Sequence, residues 1–133
     1  MQSTYVYSGL TLFALVLGLA CSGSVHAQVL GPPTKLPLQG GEAIYKGVCQ
    51  DCHMPDARGG KVGPIGYPAL AANPKLEVSG YPIAVVVHGQ KAMPPFGPSL
   101  SDEQVADVVN YIRNHFGNDY KDSVTPNDVK GAR

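Results

Sequence analysis

Cys49-Gln50-Asp51-Cys52-His53 sets two thiols within one helical turn of each other and an imidazole directly after the second. That spacing suits covalent capture of haem: the thiols add across two vinyl groups, and the next residue then lies under the iron as an axial ligand. Two other chemistries use paired cysteines, and both fit less well. A closed structural zinc site needs four ligands, yet the remaining cysteine, Cys21, lies in an apolar N-terminal run, so His88 or His115 would have to be recruited. A thioredoxin-like thiol pair follows a strand in a βαβ unit, whereas here an amphipathic helical stretch precedes the motif and a Gly/Pro-rich segment follows it.

An iron held by His53 takes a second axial ligand on its other face, and four side chains compete for that place: Met54, Met93, His88 and His115. Met54 adjoins His53 and cannot cross the macrocycle. His115 falls late on an amphipathic helix, where a solvated role is the ordinary one. Met93 sits in Lys91-Ala92-Met93-Pro94-Pro95-Phe96-Gly97, where two consecutive prolines stiffen the backbone that would aim the thioether. Met93 therefore leads and His88 is the alternative, with a lower reduction potential expected for a pair of histidines than for His/Met.

The elements that must position these groups are legible in outline. Ala43, Ile44, Tyr45 and Val48 fall near helical spacing, so a short helix from Gly41 delivers Cys49, with Glu42 and Lys46 paired on its outer face. From Pro55 to Pro74 the chain is dense in glycine and proline and reads as loop, a length that is unusual unless it serves a site. Asn73-Pro74 can open a brief helix, and Tyr81-Pro82 opens another through His88 with Gly89 as its stop. Val85, Val86 and Val87 would also suit a strand, but no partner strand is visible. Ser101-Asp102-Glu103-Gln104 is a capping box, and Val105, Val108, Val109, Ile112 and Phe116 trace one apolar face beyond it. Early Asp102 and Glu103 and late Arg113 and His115 suit the helix dipole.

At the N-terminus, the apolar run Gly9 to Ala20 and the site Val25-His26-Ala27 read as a secretory signal over residues 1–27, which implies export to the periplasm. The apolar run is too short to span a bilayer comfortably. Cys21 raises a rival reading as a lipid-anchoring cysteine, but Gly18 stands where lipoprotein signals resemble one another in having leucine. Residues 28–39 are proline-rich and should be an extended lead-in, residues 40–117 form the haem domain, and residues 118–133 should be a polar tail lying over the surface rather than building core. Ten basic and ten acidic side chains balance, which argues against nucleic acid or an anionic membrane as the main partner.

From Gly41 to about Phe116 the chain resembles class I c-type cytochromes. Gly41-x-x-x-Tyr45-x-x-x-Cys49, the haem motif, Pro68-Ala69-Leu70, and Met93-Pro94 followed by a terminal helix with Tyr111-Ile112 carry the resemblance in the family's order. It implies an all-α, cytochrome c-like fold in which the first and last helices cross, Gly41 allowing close approach opposite Tyr111. It also implies that a proline carbonyl accepts the Nδ1 proton of His53, with Pro68 the match to the family pattern and Pro64 its rival. The segments around Met93, Tyr111-Ile112-Arg113, Phe116-Gly117-Asn118 and Val124-Thr125-Pro126 are further similar to cytochrome domains accompanying periplasmic dehydrogenases.

The function this implies is one-electron carriage on a single haem c, held covalently through Cys49 and Cys52, ligated by His53 and Met93, and bordered by Pro68 and Leu70, with Tyr81 and Phe96 as further lining candidates. A periplasmic dehydrogenase would be the donor, an oxidase or another cytochrome of the respiratory chain the acceptor, and no substrate bond would be broken. The alternatives are a gas sensor or peroxidase-like enzyme with an open sixth position, or a subunit fixed permanently to a dehydrogenase. Arg58 or Lys61 is a candidate partner for a haem propionate. Because the charge is balanced and only weakly segregated, the rate of electron exchange with partner proteins should change only mildly as salt is added; a steep fall in stopped-flow rates would contradict the charge argument.

Overall fold

The computed structural model describes residues 35–62 and 64–133; the expected signal, Cys21 and residues 28–34 lie outside them. Helix α1 (Gly41–Ile44) runs through a π-helical turn, Tyr45–Cys49, into α2 (Gln50–His53). A small antiparallel hairpin follows, β1 (Gly60–Val62) with β2 (Ile65–Tyr67), in the register Gly60 to Tyr67. Then come a 3-10 turn at Pro74–Leu76, α3 (Gly80–His88), α4 (Asp102–Asn114) and α5 (Pro126–Gly131). The architecture is thus the helical one implied by the resemblance, with the hairpin as an addition inside the segment read as loop.

Helix α4 is the spine. Ser101 Oγ accepts from the Gln104 N–H while Gln104 Oε1 accepts from the Ser101 N–H, completing the capping box. The Gln104 side-chain amide also donates to the carbonyls of Leu36 and Leu38 at 2.6 and 2.8 Å, so one residue caps α4 and fastens the extended lead-in across it. Val105, Val108, Val109 and Ile112 are all buried. Helix α1 crosses α4 so closely that a Cβ on Gly41 would lie 2.2 Å from the Asp107 carbonyl oxygen and 2.5 Å from Tyr111 Cβ. Only glycine fits that crossing. Tyr45, Tyr111 and Phe116 close around it, with ring centroids 4.9 to 5.7 Å apart.

The valines at 85 to 87 belong to a helix. Pro82 lies in its first turn, Ile83, Val86 and Val87 are buried at helical spacing, and Gly89 ends it with φ +75°. The last sixteen residues depart from the expected surface tail. Thr125 and Asp128 form a second capping box with Pro126 in the first turn of α5, and Val124 and Val129 enter the core at 5% and 0% exposure. The apolar pair is masked in the sequence by the polar residues around it.

Arg113, on the last turn of α4, is 0% exposed. Its guanidinium donates to the carbonyls of Leu76 (2.8 Å), Glu77 (2.9 Å) and Asp122 (2.5 Å) and to the Asp122 carboxylate (2.6 Å). It lies 5.7 Å from the Tyr120 ring centroid. Asn118 works alongside it, its amide donating to the carbonyls of Leu70 and Ile112 and its oxygen accepting from the Asn73 N–H. Arg113→Met should cost about 3 kcal/mol in denaturant unfolding, because several carbonyls lose their donor at once. Hydrogen bonding to Arg113 holds the Asp122 carboxyl below its ordinary value. Its contribution is therefore complete above the usual carboxylate range and is lost as the pH falls through the lowered value; Asp122→Asn should flatten that acid limb of the stability curve.

Candidate haem site

The π-helical turn carries the chain from the α1–α4 crossing to the paired cysteines. Cys49 and Cys52 are both free and half-buried, and burial, with a smaller effect of Cys52, pushes the Cys49 thiol up to about 12. His53 ends α2 and is buried. Directly after it, Met54 adopts φ 67° and ψ 157°, a conformation rare for a residue with a side chain and costing on the order of 1–3 kcal/mol. Three hydrogen bonds hold the turn there: Tyr45 Oη donates to the Met54 carbonyl at 2.7 Å, the Met54 N–H to Gln50 O at 2.8 Å, and the Gly59 N–H to His53 O at 3.0 Å. The strain reverses the chain immediately past the histidine.

That reversal carries the loop and hairpin back beside the imidazole. His53 Nδ1 lies 3.0 Å from the Pro68 carbonyl. A carbonyl can only accept, so Nδ1 carries the proton and Nε2 keeps its lone pair, the tautomer a metal ligand requires. Ala57 O accepts from both the Leu70 and Ala71 N–H groups, at 2.7 and 2.9 Å, fixing the stretch that bears Pro68 and Leu70.

Cys49, Cys52, His53, Pro68, Leu70 and Met93 all line one cleft of about 390 Å³. Its walls are otherwise mainly apolar, with Leu76, Val86, Val108 and Ile112 contributing. Among the described residues no buried side-chain polar atom lacks a partner, so the walls present no unsatisfied group to an apolar occupant. Tyr81 lines this cleft, whereas Phe96 does not; it packs against the core and donates its N–H to Val86 O.

The loop bearing Met93 is tied at both ends. Gln90 and Met93 exchange two backbone hydrogen bonds at 3.0 and 2.9 Å, and the Phe96 and Gly97 N–H groups bond to the last free carbonyls of α3, those of Val86 and Val87. At Gly89 a Cβ would come within 2.6 Å of the Met93 carbonyl oxygen, on top of the positive φ. The other candidate axial ligands are engaged elsewhere. His88 Nε2 donates to Ala132 O at 2.6 Å, and His115 stacks on Tyr111 at 4.1 Å while its Nδ1 bonds to Tyr111 O. Arg58 pairs with Asp56 at 3.7 Å on the surface, and neither it nor Lys61 lines the cleft; Lys75 and Lys91 do, and their sequence surroundings carried no sign of it. Arg113 and Asn118 were likewise not read as site residues, although they hold Leu70, Asn73 and Leu76 in the cleft wall.

A family model described as cytochrome c oxidase, cbb3-type, subunit III matches residues 37–112, more than half of the chain and the part that builds this cleft. The chain belongs to the cytochrome c family. This cytochrome is 35% identical over 109 residues to the fructose dehydrogenase cytochrome subunit of Gluconobacter japonicus, an alignment covering 70% of the chain and 22% of that protein. It is 37% identical over 107 residues to the cytochrome c subunit of a quinone alcohol dehydrogenase from Komagataeibacter europaeus, again covering 70% and 22%. The cytochrome c6 of Bumilleriopsis filiformis matches at 37% over 82 residues, 56% of this chain and 87% of that one. The chain therefore spans about a fifth of the dehydrogenase cytochrome subunits it matches and nearly the whole of a small carrier.

The cofactor is haem c, attached through Cys49 and Cys52. The cleft fits it in chemistry: two thiols on adjoining helical turns at one edge, an imidazole with a free nitrogen, apolar walls, and lysines among the lining residues. A Cys49→Ala, Cys52→Ala double variant should lose haem to acid–acetone extraction and to a denaturing gel, whereas the parent keeps it through both.

Proposed function

We propose that this cytochrome is a periplasmic one-electron carrier, taking electrons from a dehydrogenase and passing them to an oxidase or another cytochrome of a respiratory chain. The observation that carries this reading is a single cleft lined by the haem-attachment residues and by one thioether, Met93. The printed names of the dehydrogenase cytochrome subunits support the donor class, and the cytochrome c6 match over most of its length supports a small carrier. Periplasmic location rests on the signal read over residues 1–27. Among the described residues no helix is long and apolar enough to cross a membrane.

Bound haem supplies an iron that exchanges one electron without making or breaking a substrate bond. His53 and Met93 are its axial ligands in this reading. The Pro68 carbonyl holds the imidazole ring at a fixed angle and raises its basicity. Met93 favours the reduced form, and the apolar walls, by excluding water, favour the less charged state in the same direction. Two retained ligands also keep the surroundings of the iron nearly unchanged on reduction, which lowers the barrier to transfer. A site for a gas or a peroxide would instead leave the sixth position open.

The oxidised protein should show the weak far-red absorption band of methionine bound to ferric haem, and Met93→Ala should abolish it while allowing the reduced protein to bind carbon monoxide. A native protein that lacks the band and binds carbon monoxide unaided would transfer the assignment to the sensor or enzyme class. Retention of the band in Met93→Ala would remove Met93 as the ligand.

A further inference from the structure

On the side of the Met93 loop away from the cleft, two cations converge on one short stretch of backbone. Lys35 Nζ donates to the carbonyls of Gly97, Pro98 and Leu100 at 2.9, 3.0 and 2.8 Å. Arg133 donates from Nη1 to Gly97 O at 2.7 Å, from Nη2 to Leu100 O at 2.9 Å, and from Nε to Asp102 Oδ1 at 2.5 Å. The two side chains come from opposite ends of the described sequence, yet they share two of the three carbonyls. All three ammonium hydrogens of the lysine are used, and the guanidinium forks across a turn whose backbone would otherwise be satisfied only by water. The Arg133 and Asp102 side chains are 30% and 27% exposed, so this is a sheltered pair rather than a free surface one.

The mechanical context gives the arrangement a purpose. Gly97 is four residues past Met93, and Pro94 and Pro95 lie between them with fixed φ, so displacement of Gly97 is transmitted to Met93 rather than absorbed. The N–H of Gly97 is already bound to Val87 O at the end of α3. Its carbonyl is free to be held from the far side, and both cations hold it. Arg133 is itself placed by α5, whose buried Val129 docks the C-terminal segment, and by the bond from His88 to Ala132 O.

We propose that Lys35 and Arg133 form a clamp on the Gly97–Leu100 turn that keeps the Met93 loop from swinging open, making them positioning residues for the thioether. The inference rests on the reading of Met93 as an axial ligand. It gives the segment after Phe116 a role in guarding the sixth position, and it predicts that resistance to exogenous ligands depends on contacts remote from the cleft.

Two readouts test it in the holoprotein. The first is the rate at which imidazole displaces the native ligand of the ferric form, followed by loss of the far-red band; the second is amide hydrogen exchange at Phe96 and Gly97. Lys35→Met and Arg133→Met should each accelerate displacement, and the double variant should do so by about tenfold or more, as expected for loss of charge-assisted hydrogen bonds. Exchange at Phe96 and Gly97 should speed up in the same variants while Val109 in α4 stays protected. Arg133→Lys should restore much of the parent behaviour, and Lys121→Met, which breaks an exposed pair with Asp119, should change neither readout. Unchanged displacement and exchange in the double variant would overturn the clamp, as would equal acceleration at every amide including Val109, which marks a merely structural role. If the parent lacks the far-red band, the ligand reading fails, and the exchange pattern alone then decides whether the turn is clamped.

Discussion

A guanidinium with no access to water has to have its donors met by protein, and Arg113 meets that demand with the backbone of two segments that have little else to hold them. The carbonyls of Leu76 and Glu77 belong to the stretch between the hairpin and α3, and that of Asp122 to the run before α5. Removing the charge therefore does more than weaken a contact, because it strands acceptors on both segments. Asn118 repeats the pattern with Leu70, Asn73 and Ile112. The end of α4 thereby fixes a cleft wall that is mostly not helix, and the apolar faces of α3 and α4 close the other sides.

This arrangement lets a chain with few long elements present a shaped cavity. Loops ordinarily tolerate movement, since their backbone groups can turn to water. Here the groups are committed inward: Ala57 O to Leu70 and Ala71, His53 O to Gly59, Val86 and Val87 carbonyls to Phe96 and Gly97. Each tie joins a loop to a helix end or to the haem motif, so the loops inherit the rigidity of the helices. A covalent haem would complete the core that the small set of buried aliphatic residues only begins.

How much of this was legible depended on whether the signal was local. The α4 capping box, the apolar face beyond it and the haem motif are written in neighbouring residues, and each could be read directly. The valine run was ambiguous in period, and Pro82 before it and Gly89 after it decided for a helix. The hairpin was hidden because its strands are three residues each, within a segment whose glycines and prolines signal loop. Thr125-Pro126-Asn127-Asp128 carried a capping-box signature, but Val124 and Val129 are too isolated to announce a buried face. Arg113 was legible only as a cation suited to a helix C-terminus; its burial depends on carbonyls that lie far away in the chain, and no local pattern encodes them. Lys75 and Lys91 reached the cleft by the same kind of long-range placement.

The π-helical turn between α1 and α2 has a consequence for how this chain can vary. A regular helix advances roughly 100° per residue around its axis, so the residue accommodated by the wider turn sets the angular phase between everything before it and everything after it. Gly41 must face Asp107 and Tyr111, while Cys49, Cys52 and His53 must face the cleft. Loss of one residue between Tyr45 and Cys49 could be healed into a smooth helix, and the healed helix would point the motif in the wrong direction. The interval from Gly41 to Cys49 is therefore a fixed count, closed to insertion and deletion even where the identities of the intervening side chains are open to change.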